Sequence, residues 1–403
     1  VSTLDWEQAR QIVIDVVKEL RRTTEAESVP LEQAHCRVLA EDVVADRDYP
    51  ALRRSLRDGF AVQTRSVPGV LRARGEVRAG EAQQNPLSEG EALEIMTGAP
   101  VPDEADAVVM VEHVSRIDGE DGLAQVKIDR ALKPGEWINE RGSEAATGSL
   151  LIPKGTRLDA GHVATLALVG KPSVPVYVRP RVAILATGDE IVSIAAVPAA
   201  HQIRNSNSFM LAALVSAAGG WAELLPVAPD VRDPLRSRLQ RGLNYDMLLV
   251  SGGVSAGRYD LVKPVLRELG TQFHFEKVRM QPGGPCAFGS RGSTVVFGLP
   301  GNPGSSYVTF QVFAQAALEL LGGQSDSALR LLTARFTAPF KHRPGLTRFL
   351  PAKLSDDGQH LTHIPWQGSS DVPALARANA FLVADDYRES WAAGDTIRVM
   401  RKL

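Results

Sequence analysis

Two cysteines, Cys36 and Cys286, are all that this chain of 403 residues contains. Two thiols build neither a closed thiolate zinc site nor a disulfide framework, so a reducing compartment is expected. No uncharged apolar run approaches the roughly 18 residues that would span a bilayer, and the first residues lack the basic-then-apolar order of a secretory signal. The expected location is the cytoplasm. Net charge is also nearly absent, with 45 Lys+Arg against 47 Asp+Glu leaving −2. That balance argues against a nucleic-acid partner or a polybasic membrane anchor. Internal repeats and low-complexity tracts are missing. What is present is 44% hydrophobic and 23% charged residues, a mixture able to bury several cores. At roughly 100–200 residues per domain the length predicts two to four domains.

Residues 5–22 open on Asp5 and carry Ala9, Ile12, Val13, Val16, Val17 and Leu20 at the spacing of an amphipathic helix. A short strand is predicted over 37–44. From about Tyr49 to Val178 short strand-like runs (61–63, 107–111, 124–128, 173–178) are broken by Gly and Pro, which predicts small β-rich lobes with one helix over 160–169. Pro180 begins a different texture. Buried-strand runs at 182–186, 223–227, 247–250 and 294–298 alternate with helical stretches at 208–218, 232–241, 259–269 and 305–321. Such alternation predicts crossover units and a parallel sheet. After Gly322 the strands 331–336, 347–353, 380–383 and 396–400 predict a small terminal barrel or sandwich.

In an open α/β sheet ligands sit beyond the carboxyl ends of the strands, and those positions are loaded here. The strand at 182–186 runs into Thr187-Gly188-Asp189-Glu190. The strand at 247–250 runs into Ser251-Gly252-Gly253-Val254-Ser255-Ala256-Gly257, followed by Asp260 and Lys263. The strand at 294–298 runs into Leu299-Pro300-Gly301-Asn302-Pro303. Glycines between a strand and a helix let backbone N–H groups approach an anion, although the same loop also serves as a tight turn with no ligand. The string has neither the Gly-Lys-Ser/Thr ending of a nucleotide P-loop nor the dinucleotide Gly-x-Gly-x-x-Gly pattern. Asp189, Glu190, Asp230 and Asp260 stand close to it in the expected topology, and carboxylates beside a phosphate site suit a hard cation such as Mg2+. The simpler role for each is a helix cap, which Asp230 ahead of the helix at 232–241 would fill. Asn302-Pro303 likewise has the form of a Pro-started helix. Lys263 and Lys277 are candidate phosphate partners or plain solvated lysines.

Two further strings stand in the first half, Asp58-Gly59-Phe60-Ala61 and Met96-Thr97-Gly98-Ala99-Pro100. With Arg37-Val38-Leu39-Ala40-Glu41-Asp42, Asn205-Ser206-Asn207 and the three strand-end strings, in this order, the chain resembles the molybdopterin molybdenumtransferase family, the bacterial counterparts of the C-terminal domain of gephyrin. The resemblance runs from the first helix to about Met400. It implies a homodimer of multi-domain α/β plus β subunits: an elongated N-terminal domain from 1–50 and 140–178, an inserted β-rich lobe over 51–139, an α/β molybdopterin-binding domain with a parallel-rich sheet over 179–322, and a small β-barrel over 323–403. It also implies a reaction. Adenylylated molybdopterin is bound with molybdate and a divalent cation, the phosphoanhydride is cleaved, AMP leaves, and molybdenum is delivered to the dithiolene.

Carried over by position, the resemblance implies that Asp58 and Thr97 reach the site from the β-lobes of the other subunit. Glu190, Asp230 and Asp260 would handle metal and substrate, and Lys277 would stabilise charge as the anhydride breaks. Thr187, Gly188, Asp189, Ser251, Gly252, Gly253, Ser255, Gly257, Pro300, Gly301, Asn302 and Pro303 would hold the cofactor precursor. A molybdopterin adenylyltransferase and apo-molybdoenzymes are the partners implied. Arg57, Asn139 and Glu144 depart from the family pattern, and Gln281 and Gly284 stand where Lys is common. The last two remove one or two positive charges near the expected anions, with Arg279 or Arg57 as substitutes, and the departures together bear on activity more than on fold. A gephyrin-like scaffold is the alternative, in which Trp366, Phe381, Tyr387 and Trp391 would line a cleft for a peptide of a cytoskeletal or membrane protein. The simpler place for those aromatics is the core of the β-domain.

Overall fold

A computed structural model of the chain describes residues 4–20, 25–81, 86–118, 123–254 and 261–403. The chain folds as two compact units, one comprising Val1–Glu41, Lys154–Ala160 and Ser173–Leu403, the other Asp42–Pro153 and Gly161–Pro172. Among the described residues no helix is long and apolar enough to cross a membrane.

The first unit is built on a six-stranded sheet. Its strands are β1 (Arg181–Ala186), β2 (Trp221–Leu224), β3 (Met247–Ser251), β4 (Gln272–Phe275), β5 (Ala287–Arg291) and β6 (Thr294–Leu299), in the spatial order β2-β1-β3-β6-β5-β4. The first four in that order run parallel. Alternate residues of a strand face opposite ways, and both faces are covered, as parallel strands require. Val182, Ile184, Met247, Leu249, Val295 and Phe297 join one core with α1 (Trp6–Leu20), α2 (Ser206–Ala217) and the long C-terminal helix of this domain. Ala183, Leu185, Leu248, Val250 and Val296 join another with α3 (Arg232–Gly242) and α4 (Val262–Glu268). The predicted helix over 259–269 is thus seen from Val262, and 259–260 lie outside the described residues.

Sequence reading did not anticipate β4 and β5, which extend the sheet antiparallel to β6. Arg291 and Thr294 pair across a turn in which Gly292 has a φ of +58°. A connection that short leaves no room for a crossover helix and forces the antiparallel sense. The short strand Ala26–Pro30, paired with Ser173–Tyr177, was also not anticipated. The helix predicted over 305–321 begins two residues earlier as α5 (Pro303–Thr309) and continues through a π-helical turn, Phe310–Ala314, into Gln315–Leu321. Arg10 of α1 is buried at that turn, donating to the Val312 carbonyl and to Ser327 O at 3.0 Å.

Five strands form a second sheet in this unit: β7 (Leu331–Phe336), β8 (Thr347–Leu354), β9 (His360–His363), β10 (Ala380–Ala384) and β11 (Thr396–Arg401). Their pairing β7-β11-β10-β8-β9-β7 closes on itself, which makes a barrel rather than a sandwich. The short strand Met280–Gln281 adds to β8 in parallel.

The second unit holds a separate six-stranded sheet of Gly59–Val62, Gly69–Val77, Glu91–Ile95, Ala107–Met110, Val114–Asp118 and Ala124–Ile128. Phe60, Leu71, Val109 and Ile128 pack on one side, and Ala61, Val77, Ile95 and Val108 on the other. The helix Ala160–Leu168 lies in this unit from Gly161 onward, where the Tyr49 hydroxyl donates to the Leu168 carbonyl at 2.9 Å.

Candidate functional site

The loops leaving β1, β3 and β6 meet around one cavity of about 870 Å³. Thr187, Gly188 and Glu190 come from the first loop, Ser251, Gly252 and Gly253 from the second, and Pro300, Gly301, Asn302 and Pro303 from the third, with Asp230 beside them. This is the position that open α/β sheets give to ligands. The loops approach one another through backbone. Gly252 has a φ of +94°, and a Cβ there would lie 2.8 Å from the Thr187 carbonyl oxygen. A Cβ on Gly301 would lie 3.7 Å from Gly252 Cα.

Asn207, in the first turn of α2, ties two of these loops together. Its Nδ2 donates to Ser251 Oγ at 2.8 Å and to the Gly301 carbonyl at 2.7 Å. The helix it belongs to is capped by Asn205, whose side chain accepts from Ser208 N at 3.1 Å. Two oxygens on the cavity-lining residues are buried with no partner among the described residues, Asn207 Oδ1 and Thr187 Oγ1. Leaving such atoms unpaired costs about 1–3 kcal/mol each. A polar ligand in the cavity would satisfy them.

The acidic residues form one group at the mouth of β1. Asp189 Oδ1 accepts from Asp230 N at 3.1 Å. Burial, followed by the charges of Asp189 and Glu190, raises the Asp230 carboxyl above its ordinary value. Asp230 does not cap α3, because the cap residue is Val231 and no side-chain cap bond is made. Among the described residues no three His, Cys, Asp or Glu side chains converge as a metal set. Ser255, Gly257 and Asp260 lie outside the described residues.

The predicted cations stand elsewhere. Lys277 is exposed after β4 and does not line the cavity. Lys263 pairs with Glu276 at 3.6 Å, and Arg279 with Asp386 at 2.7 Å. Arg204 and Arg348 are the cavity's own cations among the described residues, and Arg348 Nε is buried without a partner there. Gln281 and Gly284 do line the cavity. In the second unit Thr97 donates to Asp58 from its N–H at 2.6 Å and its hydroxyl at 2.7 Å. Arg57 lies 4.9 Å from the Trp137 ring centre, and Asn139 donates to Glu144 at 2.9 Å.

Residues 4–170 match the family described as MoeA N-terminal region (domain I and II), residues 183–320 a probable molybdopterin binding domain, and residues 333–401 the MoeA C-terminal region (domain IV). A molybdopterin molybdenumtransferase of Bacillus subtilis (strain 168) is 35% identical over 390 residues, covering 93% of this chain and 90% of its own. The chain belongs to the molybdopterin molybdenumtransferase family. A Synechocystis relative of the same name is 32% identical, over 91% of this chain and 93% of its own. A molybdopterin biosynthesis MoeA protein of Pyrococcus horikoshii OT3 shares the architecture with a TM-score of 0.80 at 26% identity, covering 99% of this chain and all of that one.

For this member of the molybdenumtransferase family, sequence reading passed over the second wall of the cavity except Trp366, which it had weighed for a peptide cleft. Leu346, Arg348, Leu350, Trp366, Gly368 and Ser369 reach it from the barrel. They are separated from the strand-end loops by dozens of residues and carry no motif, so pattern alone offered no signal. Asn207 was visible within Asn205-Ser206-Asn207 but not as a bridge. Of the four aromatics considered for a peptide cleft, Phe381 is 0% exposed in the core shared with α1 and α5, Trp391 is 3% exposed in the barrel core, Trp366 is half-buried on the cavity wall, and Tyr387 is 80% exposed.

Proposed function

We propose that the cavity binds adenylylated molybdopterin and that the chain, a transferase of molybdenum cofactor biosynthesis, inserts molybdenum from molybdate with release of AMP. The observation that carries this is the convergence of three strand-end loops, two unpartnered buried oxygens and a carboxylate group on one cavity. The backbone N–H of Gly253 is suited to phosphate, while that of Gly252 donates to the Leu299 carbonyl at 3.1 Å and shapes the loop. A hard cation is proposed beside them. Glu190 and Asp230 supply oxygen donors, and the crowding of negative charge that raises Asp230 is what a divalent cation relieves. When bound, such an ion would neutralise phosphate charge. Asp260 is the third proposed ligand. Arg348 and Arg204 supply the positive charge that Gln281 and Gly284 do not. Catalytic roles for Asp58, Thr97 and Lys277, a cytoplasmic homodimer, and a molybdopterin adenylyltransferase and apo-molybdoenzymes as partners extend the same reading.

The test is release of AMP from adenylylated molybdopterin with molybdate and Mg2+. Molybdate-dependent release is expected, with a loss on the order of 100-fold for Glu190→Gln. Undiminished release in that variant would sink the assignment of the acidic group.

A further inference from the structure

The two walls of the cavity differ in chemistry. The strand-end wall offers the Gly253 N–H, Thr187 Oγ1 and carboxylates, whereas the barrel wall brings Leu346, Leu350 and Trp366 beside the Arg348 guanidinium. Trp366 is held in place. A Cβ on Gly304 would lie 3.0 Å from its Cζ3, so the indole packs directly on the backbone of α5. The segment carrying it is pinned by two hydrogen bonds, Gly304 N–H to the Ser369 carbonyl at 2.7 Å and Asn302 Nδ2 to Ser369 Oγ at 2.9 Å. Those bonds also occupy the start of α5. Pro303 has no N–H and that of Gly304 is taken, so the start of α5 is poorly equipped to cradle phosphate.

We propose that Trp366 is the platform on which a planar nitrogen heterocycle of the substrate stacks, while its phosphate lies on the strand-end wall. The inference rests on reading the cavity as the substrate site. An aromatic face accepts any π-system by stacking, and a platform already fixed by packing loses little freedom when the ring arrives. Adenine and pterin share this chemistry. Both are flat, polarisable and edged with hydrogen-bonding atoms, and the substrate proposed above contains one of each.

The experiment is isothermal titration calorimetry of the full chain and of Trp366→Leu and Trp366→Phe with AMP, ribose 5-phosphate and pterin-6-carboxylate. Leucine keeps apolar bulk without a ring, and phenylalanine restores a ring. Expected is a loss of about tenfold in AMP affinity for Trp366→Leu, recovery in Trp366→Phe, and no change for ribose 5-phosphate. The same loss confined to the pterin would support the platform with pterin as the ring. Equal weakening of AMP and ribose 5-phosphate would overturn it, since the residue would then be shaping the cavity generally. Ring affinities unchanged in Trp366→Leu would overturn it while leaving the cavity as the substrate site. A folded wild-type chain that binds none of the three would remove both.

Discussion

Both hydrogen bonds that Asp58 accepts from Thr97 end on the same carboxylate oxygen, Oδ1. Two other Asp–Thr clamps in that unit are used up. Asp106 gives Oδ1 to Thr64 N at 2.6 Å and Oδ2 to Thr64 Oγ1 at 2.7 Å. Asp48 holds both Thr147 donors on Oδ1 at 2.8 Å and Arg141 on Oδ2 at 2.7 Å. Of the three, only Asp58 keeps an oxygen with no hydrogen bond among the described residues, which separates a fixed carboxylate available for a ligand from two that serve as loop fasteners.

The backbone N–H of Thr97, followed by its hydroxyl, holds the Asp58 carboxyl below its ordinary 3.8. Thr97→Val keeps the first bond and deletes the second. The Asp58 carboxyl is expected to move up toward 3.8 by carbon-detected NMR titration. An unmoved titration would mean that the hydroxyl contributes nothing to the charge held there.

Asp48 gives a pH signature. Its carboxyl is lowered from 3.8 to about 2, first by the backbone bond from Thr147, then by that residue's hydroxyl and by Arg141. A depressed carboxyl stabilises the fold above the unfolded value, and that stability is lost as pH falls from near 4 toward 2. Asp48→Asn is therefore expected to melt below wild type at pH 6, with the gap closing in acid. A gap that stays constant with pH would contradict this.

Asp230 has the opposite sign. Its raised carboxyl means that the folded state disfavours ionisation, so stability falls as pH rises through the folded value. In EDTA at neutral pH, Asp230→Asn should melt about 2 °C above wild type. Adding Mg2+ should raise the wild-type transition and leave the variant's in place. Equal stabilisation of both proteins would take Asp230 out of the cation site.

Gly252→Ala strains the left-handed backbone at φ +94° and drives a Cβ to 2.8 Å from the Thr187 carbonyl. A cost of about 1–3 kcal/mol in urea unfolding is expected, together with loss of AMP affinity. Full affinity in this variant would show that the loop tolerates displacement and does not hold phosphate closely.

Much of this was legible in the chain. The strands β1, β3 and β6 are five- or six-residue buried runs, long enough and apolar enough to announce a covered parallel sheet, and the glycine- and proline-rich strings after them marked the cavity's first wall. Local pattern has no reach beyond its own element. It could not show that Asn207 bridges Ser251 and Gly301, because that bond depends on where α2 begins relative to two loops 44 and 94 residues away. Nor could it place Lys277 outside the cavity, since an exposed lysine and a phosphate-facing one look alike in one sequence. Gln281 and Gly284 were expected near the anions only through the family resemblance, and the segment from Met280 to Pro285 does line the cavity.

The pairing of Met280 and Gln281 with Thr347 and Arg348 gives the strand-end domain and the barrel a common seam. An excised fragment ending at residue 322 would lose that seam and present an open trough with an unpaired edge. The division of labour familiar from separable modules, one for binding and one for scaffolding, does not apply to this half of the molecule. A lesion in the barrel at Arg348 falls on the ladder partner of Gln281, and so reaches the lining of the cavity without disturbing any of the glycine loops.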